Sequence, residues 1–191
     1  MQFTKVELVR DEIIGFKPDY SDIGDVTNLL MADGSVEVDK RTLKSVRRAL
    51  AASYAVDLTA QRKGLRSRLG KGAGMLFHID DRVFVPVKMR RAISENDATY
   101  GYVDVEYIAA VEETDRNRCR LRLTNGLELQ VYSMKSTVLG NQETGRELLR
   151  LLRQDSDKID PREELVLGGV RVLIGYLQST LEKLERIERK L

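Results

Sequence analysis

Tryptophan is absent from this chain, cysteine and histidine occur once each, and proline occurs three times in 191 residues. Each scarcity removes a class of explanation. A single thiol, Cys119, leaves no internal disulfide framework and fits a reducing compartment. With His78 as the one imidazole, a His/Cys metal cluster, a Ser-His-Asp triad and a Cys-His pair all lack parts. Acidic residues are plentiful, but spacing marks no pair of them as an acid/base couple. The expectation is a protein that is not an enzyme and needs no cofactor. The tyrosines form no recognisable stacking platform, which argues against single-stranded nucleic acid or RNA. No apolar run reaches membrane-spanning length, and MQFTKVELVRDEIIGF alternates apolar with charged residues instead of forming a signal-peptide core. A cytoplasmic location is expected.

What the chain has in quantity is charge, unevenly placed. The formal net charge is only +2, yet residues 1–39 carry three basic and nine acidic side chains (−6). Residues 40–91 carry fourteen basic and three acidic (+11), and residues 92–191 come to −3. A polyanion docking on the middle segment is one reading of this excess. Compensation by the acidic N-terminal segment across the fold is the other.

Patterning gives an α+β fold with a mostly antiparallel sheet, packed helices and a C-terminal heptad-patterned helix. Residues 3–9 read as a strand, and Val26 to Val38 as a hairpin turning at Ala32-Asp33-Gly34. Asp33 and Asp39 lack the ligand spacing of a calcium loop. Asp39 can cap a helix whose Leu43, Val46, Leu50 and Tyr54 recur at three- and four-residue intervals. That basic amphipathic helix would lie on a sheet or in a DNA groove. QRKGLRSRLGKGAG, residues 61–74, reads as a basic, flexible loop with four glycines: Gly64 to Gly70 is one residue too long for a phosphate loop and Gly72 replaces its hydroxyl, and Met75 stands where the dinucleotide fingerprint needs its third glycine. Met75 to Val87 is a hairpin turning at Asp80-Asp81, with Pro86 marking a sheet edge or strand end.

YVDVEYIAAV reads as one strand. Beyond it, Cys119, Leu121 and Leu123 alternate with Arg118, Arg120 and Arg122. A three-residue loop with Gly126 in the left-handed bulge position pairs Leu123 with Leu127, Leu121 with Leu129 and Cys119 with Val131. Arg122 then opposes Glu128 on the outer face, an arginine row that is either solvated or in contact with phosphates. Ser136 to Arg153 is a helix, and Gln154 to Asp157 a break. From Asp160-Pro161 a last helix carries a heptad at Val166, Val170, Leu173, Leu177, Thr180, Leu184, Ile187 and Leu191. Such a seam wants a partner: a second copy, or this chain's own sheet. The expected organisation is an α+β DNA-binding domain over residues 1–154 and a C-terminal dimerisation helix over 160–191.

The segment from residue 26 to about 153 resembles the competence transcription factor (ComK) family. The likeness rests on Ser53-Tyr54 followed by Arg62-Lys63-Gly64, then RVFVPV, TYGYVDVEYI, LTNGLELQVYS and an N-Q-x-x-x-G-R-x-L-L helix from Asn141. The family places Arg-Lys-Gly almost directly after Ser-Tyr, whereas here Ala55 to Gln61 intervene. The stretch from Tyr107 to Ser133 is also similar in strand order to LytTR-type DNA-binding domains, without their basic final segment. Both resemblances imply a transcriptional regulator that binds double-stranded DNA from a sheet-supported scaffold. The ComK resemblance further implies oligomers on A/T-rich sites, with the minor groove involved, and arginine suits the enhanced negative potential of that groove. The candidate DNA-binding residues are Arg62, Lys63, Arg66, Arg68, Lys71, Lys88, Arg90 and Arg91, and the expected assembly is a homodimer or higher homo-oligomer. An adaptor using the basic segment to hold an acidic protein partner is the alternative, and a phosphate-ligand sensor stands third.

Overall fold

The computed structural model of the chain describes residues 3–156 apart from 23, 93, 94 and 96, and then residues 168–170, 172–177 and 180. In chain order the elements are β1 (Ile13–Ser21), β2 (Gly24–Met31), β3 (Val36–Asp39), α1 (Leu43–Ser53), α2 (Leu58–Leu69), β4 (Phe77–Ile79), β5 (Arg82–Lys88), β6 (Tyr100–Asp104), β7 (Ile108–Asp115), β8 (Arg118–Leu123), β9 (Glu128–Val131) and α3 (Lys135–Ser156). A six-stranded sheet runs β3-β2-β1-β6-β5-β4, and a three-stranded sheet runs β7-β8-β9. The pairings among the described residues are antiparallel, so the fold is α+β.

Alternation along the central strands divides the interior into two cores. Phe84 of β5 meets Phe16 and Phe77 on one face, with the Phe77 and Phe84 rings stacked at 4.9 Å and Tyr102 edge-on to Phe77 at 5.1 Å. Helix α1 covers that aromatic face with Leu43, Val46 and Leu50. Val83, Val85 and Val87 point the other way with Ile14, Leu30 and Val103. The second sheet covers them with Cys119, Leu121, Leu123 and Val131, and α3 with Val138, Leu148 and Leu149. Three features of the α3 sequence fix its seat. Asn141 Nδ2 donates to the Pro86 carbonyl at 3.0 Å, and Gln142 Nε2 to the Ile108 carbonyl at 3.3 Å. At Gly145 the helix passes so close to β5 that a Cβ would lie 2.4 Å from Val85 Cγ1. Because Pro86 turns its carbonyl to α3, its ring nitrogen faces the side where β4 has already ended, and the missing N–H leaves no ladder bond unmade.

Several expectations hold in detail. The β2–β3 and β4–β5 hairpins form where expected, and Gly126, at φ 90°, closes a bulged loop that pairs Leu121 with Leu129 and Cys119 with Val131. Others are corrected. Residues 3–9 are not a strand: Val6–Leu8 form a 3-10 turn whose Val6 is buried and whose Val6 N–H donates to Asp39. Asp39 therefore is not a helix cap. It is 1% exposed, held between that N–H and Arg41, and Arg41 also grips Glu7 through two hydrogen bonds. Arg41 keeps the Asp39 carboxyl below the usual range against the cost of burial, and Thr42 caps α1 instead. The stretch Gln61 to Leu69 belongs to helix α2 and is not a loop. YVDVEYIAAV is two strands in two sheets, divided by a 3-10 turn at Val105–Tyr107. Helix α3 runs through Gln154, Asp155 and Ser156, so those residues do not break it, and Asp157 lies outside the described residues.

Two helix-interior glycines predict opposite outcomes. Gly64 of α2 has ordinary helical φ, and a Cβ added there would meet nothing within 4 Å. Gly64→Ala should therefore raise unfolding stability by about 0.5–1 kcal/mol. Gly145→Ala must displace the buried Val85 side chain and should lower it by about 1–3 kcal/mol. Urea denaturation of both variants beside the parent checks the pair.

Candidate nucleic-acid interface

Helix α2 begins after a turn at Ala55. Ala55 takes φ 56°, and the Asp57 side chain then accepts from the N–H groups of Thr59 (2.7 Å) and Ala60 (3.1 Å). These residues supply a turn and an N-cap, which is why a helix stands where a loop is expected. One stripe of α2 faces inward. Leu65 is buried and Leu69 half-buried beside it. Gln61 clips the edge of β4, giving its Nε2 to the His78 carbonyl at 2.8 Å and taking the His78 N–H on Oε1 at 3.1 Å. That pair covers a strand edge with a side-chain amide.

At 3.6 residues per turn, Arg62, Lys63 and Arg66 fall within an arc of about 100° on the outer side. All three are exposed, and none forms an ion pair among the described residues. No acidic residue lies within α2. Gly74, buried in the 3-10 turn Lys71–Met75, makes room for Arg66: a Cβ there would lie 2.4 Å from Arg66 Nε. Arg68 sits round the helix and pairs with Asp155 of α3 at 3.4 Å, both largely exposed. Lys71 opens the 3-10 turn, and its side chain lies outside the described residues. Arg62 and Arg66 are like charges at i,i+4, an arrangement that costs a helix a few tenths of a kcal/mol, about 0.2–0.5, when nothing offsets it.

The remaining candidates lie elsewhere. Arg82 of β5 opposes Ile79 of β4, whereas Lys88 ends β5 opposite Tyr100, roughly 20 Å along the strand. Arg90 follows Lys88 but is not available as a surface contact. Its side chain is 11% exposed, its guanidinium carbon lies 3.9 Å from the Tyr20 ring centroid, and it pairs with Asp25 at 3.0 Å and Asp97 at 3.9 Å. The Tyr20 hydroxyl also donates to Asp97, which raises its pKa. Arg90 is thus a bolt between the β1–β2 hairpin and the segment leading to β6. Arg91 is exposed, and its guanidinium carbon lies 5.6 Å from the centroid of Tyr132. Arg118 approaches the same ring at 5.7 Å, a convergence of distant residues that sequence spacing does not reveal.

The outer arginine row of β8 is largely neutralised. Arg120 pairs with Glu128 at 3.3 Å and Arg122 with Glu112 at 3.8 Å, which fits a solvated sheet face. Cys119 is fully buried, and burial pushes its thiol pKa up, which disfavours the thiolate. His78 lies within β4, half-buried. Among the described residues no three His, Cys, Asp or Glu side chains gather as a metal site, and no helix is long and apolar enough to cross a membrane. No family model, curated protein or solved structure matches the chain.

The Arg90 geometry has a measurable consequence. Arg90→Ala should lower unfolding stability by about 1–2 kcal/mol, through loss of the ring contact and the Asp25 pair. Arg62→Ala and Lys63→Ala, on the open face of α2, should stay within about 0.5 kcal/mol of the parent. Thermal melts at matched salt distinguish the two groups, and equal effects would remove Arg90 from its structural role.

Proposed function

We propose that this chain is a cytoplasmic, non-enzymatic DNA-binding regulator of transcription, similar in kind to the competence factors, that engages duplex DNA through α2. The carrying observation is the outer face of α2, where Arg62, Lys63 and Arg66 stand exposed and without an ion pair among the described residues, on a helix without an acid. A structural role gives that face no offset for its repulsion, whereas a phosphate backbone does. Neutralising phosphates releases condensed counterions, so affinity should fall steeply with salt. Arginine on this face also suits the narrow minor groove of A/T-rich duplexes.

Filter binding to a duplex at two or more salt concentrations tests the reading. Replacing Arg62, Lys63 and Arg66 by Ala should lower the salt slope by about one unit for each lost phosphate contact, with weaker binding to all sequences. A triple variant that keeps the parental affinity and slope sinks the assignment. Retention of an acidic protein by a parent chain that ignores duplex DNA would instead favour the adaptor reading.

The proposed oligomer rests on the C-terminal heptad. Val170, Leu173 and Leu177 are 48%, 65% and 54% exposed, while Val166, Leu184, Ile187 and Leu191 lie outside the described residues. Burying one leucine is worth roughly 1.5–3 kcal/mol, so a few paired positions support a dimer. Leu177→Asp with Leu184→Asp should give a folded monomer by sedimentation. Two linked modules gain avidity of about 10² to 10⁴-fold, and the monomer should lose that share of its DNA affinity. A dimer that survives both substitutions places the interface elsewhere.

A further inference from the structure

We propose that Arg91 and Arg118, gathered on Tyr132, form a second clamp for the phosphate backbone of duplex DNA, distinct from the face of α2. The inference rests on the duplex-binding reading above and adds a site to it. Arg91 follows β5, Arg118 begins β8 and Tyr132 follows β9, so three separate segments converge. The Tyr132 N–H donates to the Lys88 carbonyl at 2.8 Å, which ties the end of β9 to the end of β5 and brings the two arginines to one ring. Neither arginine forms an ion pair among the described residues, in contrast to Arg120 and Arg122 on the same hairpin. A guanidinium over an aromatic face keeps its planar N–H edge free for a bidentate oxyanion. Two cations over one ring repel each other until an anion joins them.

The surroundings favour an anion as well. Tyr132 is followed within three residues by the first turn of α3, which holds Lys135 and no acid. The positive end of that 22-residue helix adds its partial charge to the cluster. Asp115, across from Arg118 in the ladder, accepts the Arg116 N–H, and Glu113 stands opposite Cys119.

The test uses the full chain and a duplex of at least two turns, with filter binding followed across a salt series. Arg91→Ala with Arg118→Ala should lower the salt slope by about two units, and Arg91→Ala alone by about one. Arg122→Ala, which removes an equal charge from the neutralised row, should leave the slope unchanged. Melting temperatures identify any variant that fails to fold, and the exposed single variant Arg91→Ala keeps the result readable in that event. A double variant with the parental slope overturns the clamp while leaving α2 as the DNA contact. A parent chain that does not bind duplex at all overturns both proposals together. Protection of the parent against melting by inorganic phosphate, lost in the double variant while the duplex slope stays parental, would assign the cluster to a small anion and overturn the backbone assignment.

Discussion

The middle of the six-stranded sheet is buried on both faces, and most of the molecule follows from that. Val83, Phe84, Val85 and Val87 of β5 are all within 1% of complete burial, as is Val103 of β6. A strand buried on both sides needs a layer above and a layer below. One layer is α1, laid over the aromatic residues. The other is α3 with the second sheet, laid over the valines. The close pass at Gly145 and the Asn141 and Gln142 bonds exist because α3 must reach that valine face without leaving backbone carbonyls unmet. The side chain of Asn125 performs the same service from the second sheet, donating to the Met31 carbonyl at 2.9 Å and tying the β8–β9 turn to β2.

This two-sided burial also explains which parts are legible in the sequence. Where one face meets water, period-two alternation is clean, and the β8–β9 hairpin is readable to its register and its bulged Gly126. Where both faces are buried, alternation vanishes. β1 opens with the apolar run Ile13 to Phe16, and the polar beat of Lys17, Asp19 and Ser21 that follows is short and interrupted by Pro18, so it carries little strand signal although β1 sits third in the six-stranded order. YVDVEYIAAV reads as one strand, yet the chain turns at Val105–Tyr107 to pass from one sheet to the other. Asp104 marks that corner. It is buried, caps the turn through the Glu106 N–H, and burial pushes its carboxyl up to about 6. Nothing in residue spacing separates such a corner from a continuing strand.

The charge segregation resolves in a similar way, partly into structure and partly not. The acidic N-terminal segment does compensate the basic middle at particular points: Glu7 and Asp39 hold Arg41, and Asp25 holds Arg90. Arg82 gives its N–H groups to the Arg10 and Ile13 carbonyls and to the Tyr54 hydroxyl, and Arg47 donates to Tyr102. Those four arginines are joints of the fold. Sequence composition counts them with the rest because a count of charge carries no information about partners. What remains after they are removed stands at Lys40, Lys44 and Arg48 at the start and along the outside of α1, at Arg62, Lys63, Arg66 and Arg68 on α2 with Lys71 after it, and at Lys88 and Arg91 at the end of β5.

Helix α2 shows why the remainder resists a purely structural account. Its inward stripe has Leu65 buried, Leu58 and Leu69 half-buried, and a glutamine, Gln61, among them. Gly64, open on all sides, lowers helix propensity further by about 1 kcal/mol relative to alanine. The like-charged pair Arg62 and Arg66 subtracts a little more. Against these stand the Asp57 cap, worth about 1 kcal/mol, and the favourable placing of Arg66 and Arg68 at the negative end of the helix. A helix selected for stability alone would carry an acid at one of its outer positions and alanine at Gly64. The small flank of Ala60, Gly64 and Ser67 beside a face of unpaired cations is the arrangement that lets an anionic surface come close to the helix, and its cost in stability is the physical argument for a partner.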